Sequence, residues 1–134
     1  MIEWEKFEKN GAEGIYSRDF NWPGIDRHYF KKIKEFMVKP DGVFPNHVDE
    51  YDHLILVESG SGILCLDGEG QELRTGYIIA VRAGQIHGYS NVSDSEDLML
   101  IVFNTRPRQP HIRRKPEIKS IERLFEYGHA QRSI

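Results

Sequence analysis

A single cysteine, Cys65, excludes any internal disulfide, so no covalent staple helps to hold this chain together. Cys65 falls in Ile63-Leu-Cys-Leu-Asp67, an apparent strand, where a buried and inert thiol is the expected reading. No apolar run approaches the about 20 residues that a bilayer-spanning helix requires. The start, Met1-Ile-Glu-Trp-Glu-Lys, has none of a signal peptide's character. The cytoplasm is therefore the expected compartment, with no membrane partner. Nor is there a strong excess of charge of either sign, since the net charge is only −3. The one strongly basic stretch, Arg106-Pro-Arg-Gln-Pro-His-Ile-Arg-Arg-Lys-Pro116, carries no interleaved aromatics, so it reads as a solvated, extended connector and not as a nucleic-acid arm.

What is present is an ordinary globular composition, 39% hydrophobic and 29% charged, in 134 residues: enough for one core and too few for two. Short segments rich in β-branched and aromatic residues recur between turn signals, at 34–39, 53–58, 62–66, 71–74, 77–81, 87–92 and 98–103. Pro40-Asp-Gly42, Ser59-Gly-Ser-Gly62, Asp67-Gly-Glu-Gly70, Thr75-Gly76, Ala83-Gly84 and Ser93-Asp-Ser95 are the expected turns. Asp67-Gly68 is the strongest hairpin signal, because both residue types tolerate positive φ. Many short strands with glycine turns predict an all-β sandwich or barrel.

The ends differ from this middle. Trp4, Phe7, Tyr16, Phe20 and Trp22 in the first 24 residues are too much apolar surface to leave in water, so the leader is expected to pack on the barrel or to supply an edge strand to a partner subunit. Residues 25–37 fit a helical period better than alternation. From 117 to 127, Ile118, Ile121, Leu124 and Phe125 share one helical face, started by Pro116 and stopped by Gly128. The organisation is read as a β-barrel domain over residues 1–104 with its N-terminal extension, then a basic linker and amphipathic C-terminal helix over 105–134. That helix needs cover from the barrel or from a second copy, and a homodimer is the expected assembly. The tail carries eight Lys or Arg against three Asp or Glu, whereas the preceding part has ten against eighteen. Opposite charge favours their contact.

Two clusters carry the chemistry. The first is Gly42-Val-Phe-Pro-Asn-His47-Val-Asp49-Glu-Tyr-Asp-His53, continuing to Gly60; the second is Gly76-Tyr-Ile-Ile-Ala-Val-Arg82-Ala-Gly84-Gln-Ile-His87-Gly-Tyr-Ser-Asn91. Together they resemble the two motifs of the cupin superfamily over residues 33–104, with Asp49 in place of the family's second histidine, His53 in place of its glutamate, and no proline in the second motif. The resemblance implies a double-stranded β-helix, or jelly-roll barrel, with a strand at 34–39 despite the helical period there. It also implies a metal site formed by His47, Asp49, His53 and His87.

Side chains at i and i+2 of an extended segment point the same way, so His47 and Asp49 can converge on one ion. His53 keeps that parity if a strand begins there, and His87 must arrive from another strand. Three imidazoles and one carboxylate suit a divalent transition metal ion such as iron, manganese, nickel, copper or zinc better than calcium or magnesium. Glu50 or Asp52 are alternatives to Asp49. Phe44, Tyr89 and Phe103 are expected walls of the site, Gln85 a polar contact, Arg82 a carboxylate anchor or a solvated side chain, and Asn91 a structural hydrogen-bonding residue. His28, His111 and His129 have no partners at ligand spacing.

Cupins include dioxygenases, isomerases, epimerases, lyases, decarboxylases and binding domains. The function this resemblance implies first is a metal-dependent enzyme of dioxygenase type acting on a small molecule. Isomerase, epimerase or lyase chemistry is the alternative, as is a non-catalytic sensor. A full DNA-binding regulator would require a helix-turn-helix that the tail is not expected to supply.

Overall fold

The computed structural model describes residues 3–20, 24 and 30–105. Nine strands follow in chain order: β1 (Glu5–Lys6), β2 (Glu13–Asp19), β3 (Phe30–His47), β4 (His53–Ser59), β5 (Ser61–Leu66), β6 (Glu69–Arg74), β7 (Ile78–Val81), β8 (His87–Asn91) and β9 (Leu98–Thr105). Neighbouring strands run β6-β5-β8-β3-β9-β4-β7, with β2 also on β3 and β1 on β2. Every pairing is antiparallel. This curled sheet is the expected all-β jelly roll. The only helical turn among the described residues is a 3-10 turn at Lys9–Gly11. The predicted C-terminal helix, the basic linker, His28, His111 and His129 lie outside them.

The long strand β3 holds the two halves together. Its first part pairs with β2 and β9, and its last part, from Val43 to His47, pairs with β8. Pro40-Asp-Gly42, expected as a chain reversal, is instead a corner inside this strand. Asp41 sits at φ 66° and the β2–β3 register shifts between Glu13 and Ile15. A bulge and a turn share the same residue chemistry, and here the strand bends from one layer into the other. Gly42 is required there, because a Cβ would lie 2.7 Å from the carbonyl oxygens of both Gly14 and Lys39. By contrast Asp67-Gly68 reverses the chain as expected, with both residues at positive φ and Leu66 paired with Glu69.

Strand alternation turns the interior into layers. Along β4 the inward residues are His53, Ile55 and Val57; along β9 they are Asn104, Val102, Leu100 and Leu98; β8 gives His87 and Tyr89, and β3 gives Lys34, Phe36 and Val38. Polar groups at one end thus give way to aromatic and aliphatic walls and then to a sealed floor. Val38, Leu64, Leu73, Leu98 and Leu100 are wholly buried there. Each such side chain contributes roughly 1.5–3 kcal/mol by leaving water.

The leader closes on its own barrel. Ile15 is fully buried opposite Val38, and Phe7 packs edge-on to Phe36 and Phe44 with ring centroids 5.1 and 5.3 Å apart. Outside the barrel, Arg18 Nε donates to the buried Glu35 at 2.7 Å and its guanidinium lies 4.2 Å over the Trp4 ring. Cys65 corrects its expected burial: it points to the outer side of β5 and is half-exposed. Among the described residues no helix is long and apolar enough to cross a membrane.

Candidate metal centre

Four side chains meet at the polar end of the barrel. His47 closes β3 and His87 opens β8, and the two are register partners. His53 opens β4, which gives it the inward parity that the sequence required of it. Asp49 lies in the short link between β3 and β4, tied down where its carbonyl accepts the Gly84 N–H at 2.9 Å. One carboxylate oxygen, Asp49 Oδ2, stands 3.2 Å from His47 Nε2, 2.7 Å from His53 Nε2 and 3.3 Å from His87 Nε2. The ligand atoms of His47, Asp49 and His87 all lie within 4.8 Å of one another, so these three could hold a metal ion. His53 joins the group through Asp49.

The opposite ring nitrogens explain why the imidazoles face inward. Nδ1 of His47 donates to the Pro45 carbonyl at 2.8 Å, Nδ1 of His87 to the Gln85 carbonyl at 3.0 Å, and Nδ1 of His53 to Asn104 Oδ1 at 2.6 Å. A carbonyl oxygen can only accept, so each Nδ1 carries a hydrogen and Nε2 is the nitrogen turned toward Asp49: protonated it donates to the carboxylate, neutral it offers a lone pair to a metal. Three such nitrogens around one carboxylate are held together either by protons on Nε2 or by a cation among them. Such Nδ1–H contacts are also what fixes metal-binding imidazoles in orientation and tautomer. The donor set therefore fits a divalent transition metal.

The same crowding governs ionisation. Burial would lift the Asp49 carboxyl, but hydrogen bonds from His47, His53 and His87 hold it well below the usual carboxylate range. For His47, burial pulls the imidazole down, and the contacts to Asp49 and Pro45 outweigh it, so the net shift is upward, with Lys9 opposing. Tyr51, edge-on to His53 at 5.0 Å, has its hydroxyl pushed up by burial and by the Asp49 charge. It stays protonated at neutral pH.

The cluster lines one cavity of about 350 Å³. Phe44 and Tyr89 form part of its wall, as expected, and Phe44 stacks on His47 at 4.0 Å. Phe103 does not, because Val102 and Asn104 take the inward parity of β9 and Phe103 packs outside against Phe30. Gln85 does not line it: its side-chain amide bonds Arg82 N and Asp67, and its main-chain carbonyl serves His87. Arg82 likewise lies off the lining. Asn91 has the expected structural role, donating to the Val38 and Glu96 carbonyls. Of the alternatives to Asp49, Glu50 is exposed and Asp52 is buried as an acceptor for Ala83 N–H; neither lines the cavity. Asn104, Phe7, Phe36 and a group of lysines were not legible as site residues.

The Cupin domain family matches residues 34–104. The chain is 34% identical over 55 residues to the HTH-type transcriptional activator RhaS of Mannheimia succiniciproducens, a match covering 41% of this chain and 20% of that protein, so it spans about a fifth of that relative's length. Among solved structures it is similar to the polyketide cyclase RemF from Streptomyces resistomycificus, at 26% identity and a TM-score of 0.66, over 94% of this chain and 92% of that one. It also shares its fold with a predicted oxalate decarboxylase from Thermotoga maritima, at 13% identity and a TM-score of 0.64, over 78% of this chain and 90% of that one. With the family matched over more than half of the chain and the sheet curled as described, this chain belongs to the cupin family.

Proposed function

We propose that this protein is a metal-dependent enzyme acting on a small oxygen-bearing molecule, with His47, Asp49, His53 and His87 as the ligands of one divalent transition ion. The observation that carries this reading is the convergence of three imidazole Nε2 atoms on Asp49 Oδ2, each ring held by a hydrogen bond at Nδ1. A bound ion would supply Lewis acidity toward a chelated oxygen, or electron transfer to oxygen if it is iron or manganese. The chain's own residues do the rest. Phe7, Phe36 and Phe44 exclude water from one side of the cavity, and the Tyr51 ring, edge-on to His53, forms part of its wall.

Oxidative cleavage of dioxygenase type is the first chemistry this ligand set supports. A second reading is non-redox rearrangement or ring closure, favoured by the likeness to a polyketide cyclase over nearly the whole of both chains. Elemental analysis of protein purified without chelators, followed by oxygen uptake and anaerobic turnover on a panel of small diols, thiols and enols, separates the two. Uptake that disappears in His47→Ala and His87→Ala supports the oxygenase, and turnover without oxygen supports the second reading. Protein that takes up no transition metal at all would refute both.

A further inference from the structure

Lysine is concentrated at this cavity in a chain region that is otherwise acidic. Residues 1–105 hold eighteen Asp and Glu against ten Lys and Arg, yet Lys9, Lys31, Lys32 and Lys34 all line the cavity, with Asp49 as its only lining carboxylate among the described residues. Two of the four are engaged: Lys34 Nζ lies 2.9 Å from Asp19, and Lys31 Nζ lies 5.5 Å over the Tyr51 ring. Lys9 and Lys32 have no ion-pair partner among the described residues. Lys32 is also the register partner of Asn104, the residue that bonds His53, so its stem leaves the wall beside the cluster. Lys9 stands in the 3-10 turn on the leader side, where its charge is felt at His47.

Charge of one sign gathered around a concave, partly apolar site focuses the field on whatever enters it. An exposed lysine alone contributes little, but here the body's acidic surface makes the cavity mouth the place where an anion is favoured. We propose that the cavity takes a small organic carboxylate, its anionic end paired with Lys32 and Lys9 and its body against Phe7, Phe36 and Phe44. The placement of its other end at the cluster rests on the metal-centre reading; the choice of an anion does not. The cavity has room for about a dozen waters at roughly 30 Å³ each, which fits one such molecule.

The test is calorimetric titration of the zinc-loaded and the metal-free protein with benzoate, salicylate, pyruvate and 2-oxoglutarate, each against its uncharged amide or ester. At least one carboxylate is expected to bind about tenfold or more tighter than its neutral counterpart. Lys32→Met should lose most of that preference, Lys32→Arg should restore it, and Lys6→Met, which alters a lysine outside the cavity, should leave it unchanged. Circular dichroism and metal content of each variant show whether fold and cluster survive. A Lys32→Met protein that keeps the full preference, or a wild type with no preference on any pair, overturns the proposal. Failure to retain zinc while the metal-free protein still prefers carboxylates would sink the metal reading and leave this one standing.

Discussion

Asn104 accepts a hydrogen bond from His53 Nδ1 at 2.6 Å, across 51 positions of sequence, and so turns His53 Nε2 toward Asp49. The contact exists because β9 and β4 pair with His53 directly opposite Asn104. Asn104→Ala should weaken metal retention by about 10–100-fold, the usual cost of removing a residue that orients a metal-binding imidazole. Competition with a chromogenic chelator measures it, and unchanged affinity would show that His53 is oriented by something else.

Asp49 is the only carboxylate among the four converging side chains. Asp49→Ala should abolish retention of a divalent metal through gel filtration, whereas Glu50→Ala should leave the metal content at the wild-type level, since Glu50 is exposed and off the cavity. Equal losses in the two variants would mean that the acidic ligand is misassigned.

Outside the barrel, Glu58 is pushed up to about 7 by a hydrogen bond to Glu35, by burial and by the Glu35 charge, with Arg18 opposing. The folded protein therefore holds a proton on Glu58 that the unfolded chain has already released above the ordinary glutamate value of about 4.3. Stability from this group is full below that value and declines as pH rises through about 7. Glu58→Gln should flatten the decline, giving a higher Tm than wild type at pH above 7 and little difference in acid. Parallel Tm profiles for the two proteins would show that the carboxyl pair is not coupled.

At the corner of β3, Gly42→Ala would place a Cβ 2.7 Å from two carbonyl oxygens and 2.8 Å from Val38 Cγ1. Backbone must move to relieve this, and the expected cost is about 1–3 kcal/mol in chemical denaturation. A midpoint equal to that of wild type would show that the corner is loose.

The residues of the candidate metal centre were legible because spacing carries them. His47 and Asp49 are two apart in extended chain, and His53 and His87 both open strands with inward parity. Most strands were legible too, from alternation between glycine turns. What sequence could not give was parity in strands lacking a polar/apolar contrast: in Leu98-Met-Leu-Ile-Val-Phe every position is apolar, so Phe103 looked as able to face inward as Val102. Asn104 was missed because only strand register brings it to His53. The lysines were missed for the opposite reason: a charged residue on a strand is ordinarily read as solvent-facing, and Lys32 and Lys34 share the inward side with Phe36. Pro40-Asp-Gly42 misled because positive φ serves a bend in one strand as well as a reversal between two.

The sealed aliphatic floor beneath Phe36, Ile55 and Val102 closes the cavity at that end among the described residues. Among the described residues, a molecule that reaches the histidines shares the cavity with Lys32 and Lys9, so these ammonium groups lie close to it on entry and on release. On the carboxylate proposal, a departing anion would rival an incoming one for the same two ammonium groups.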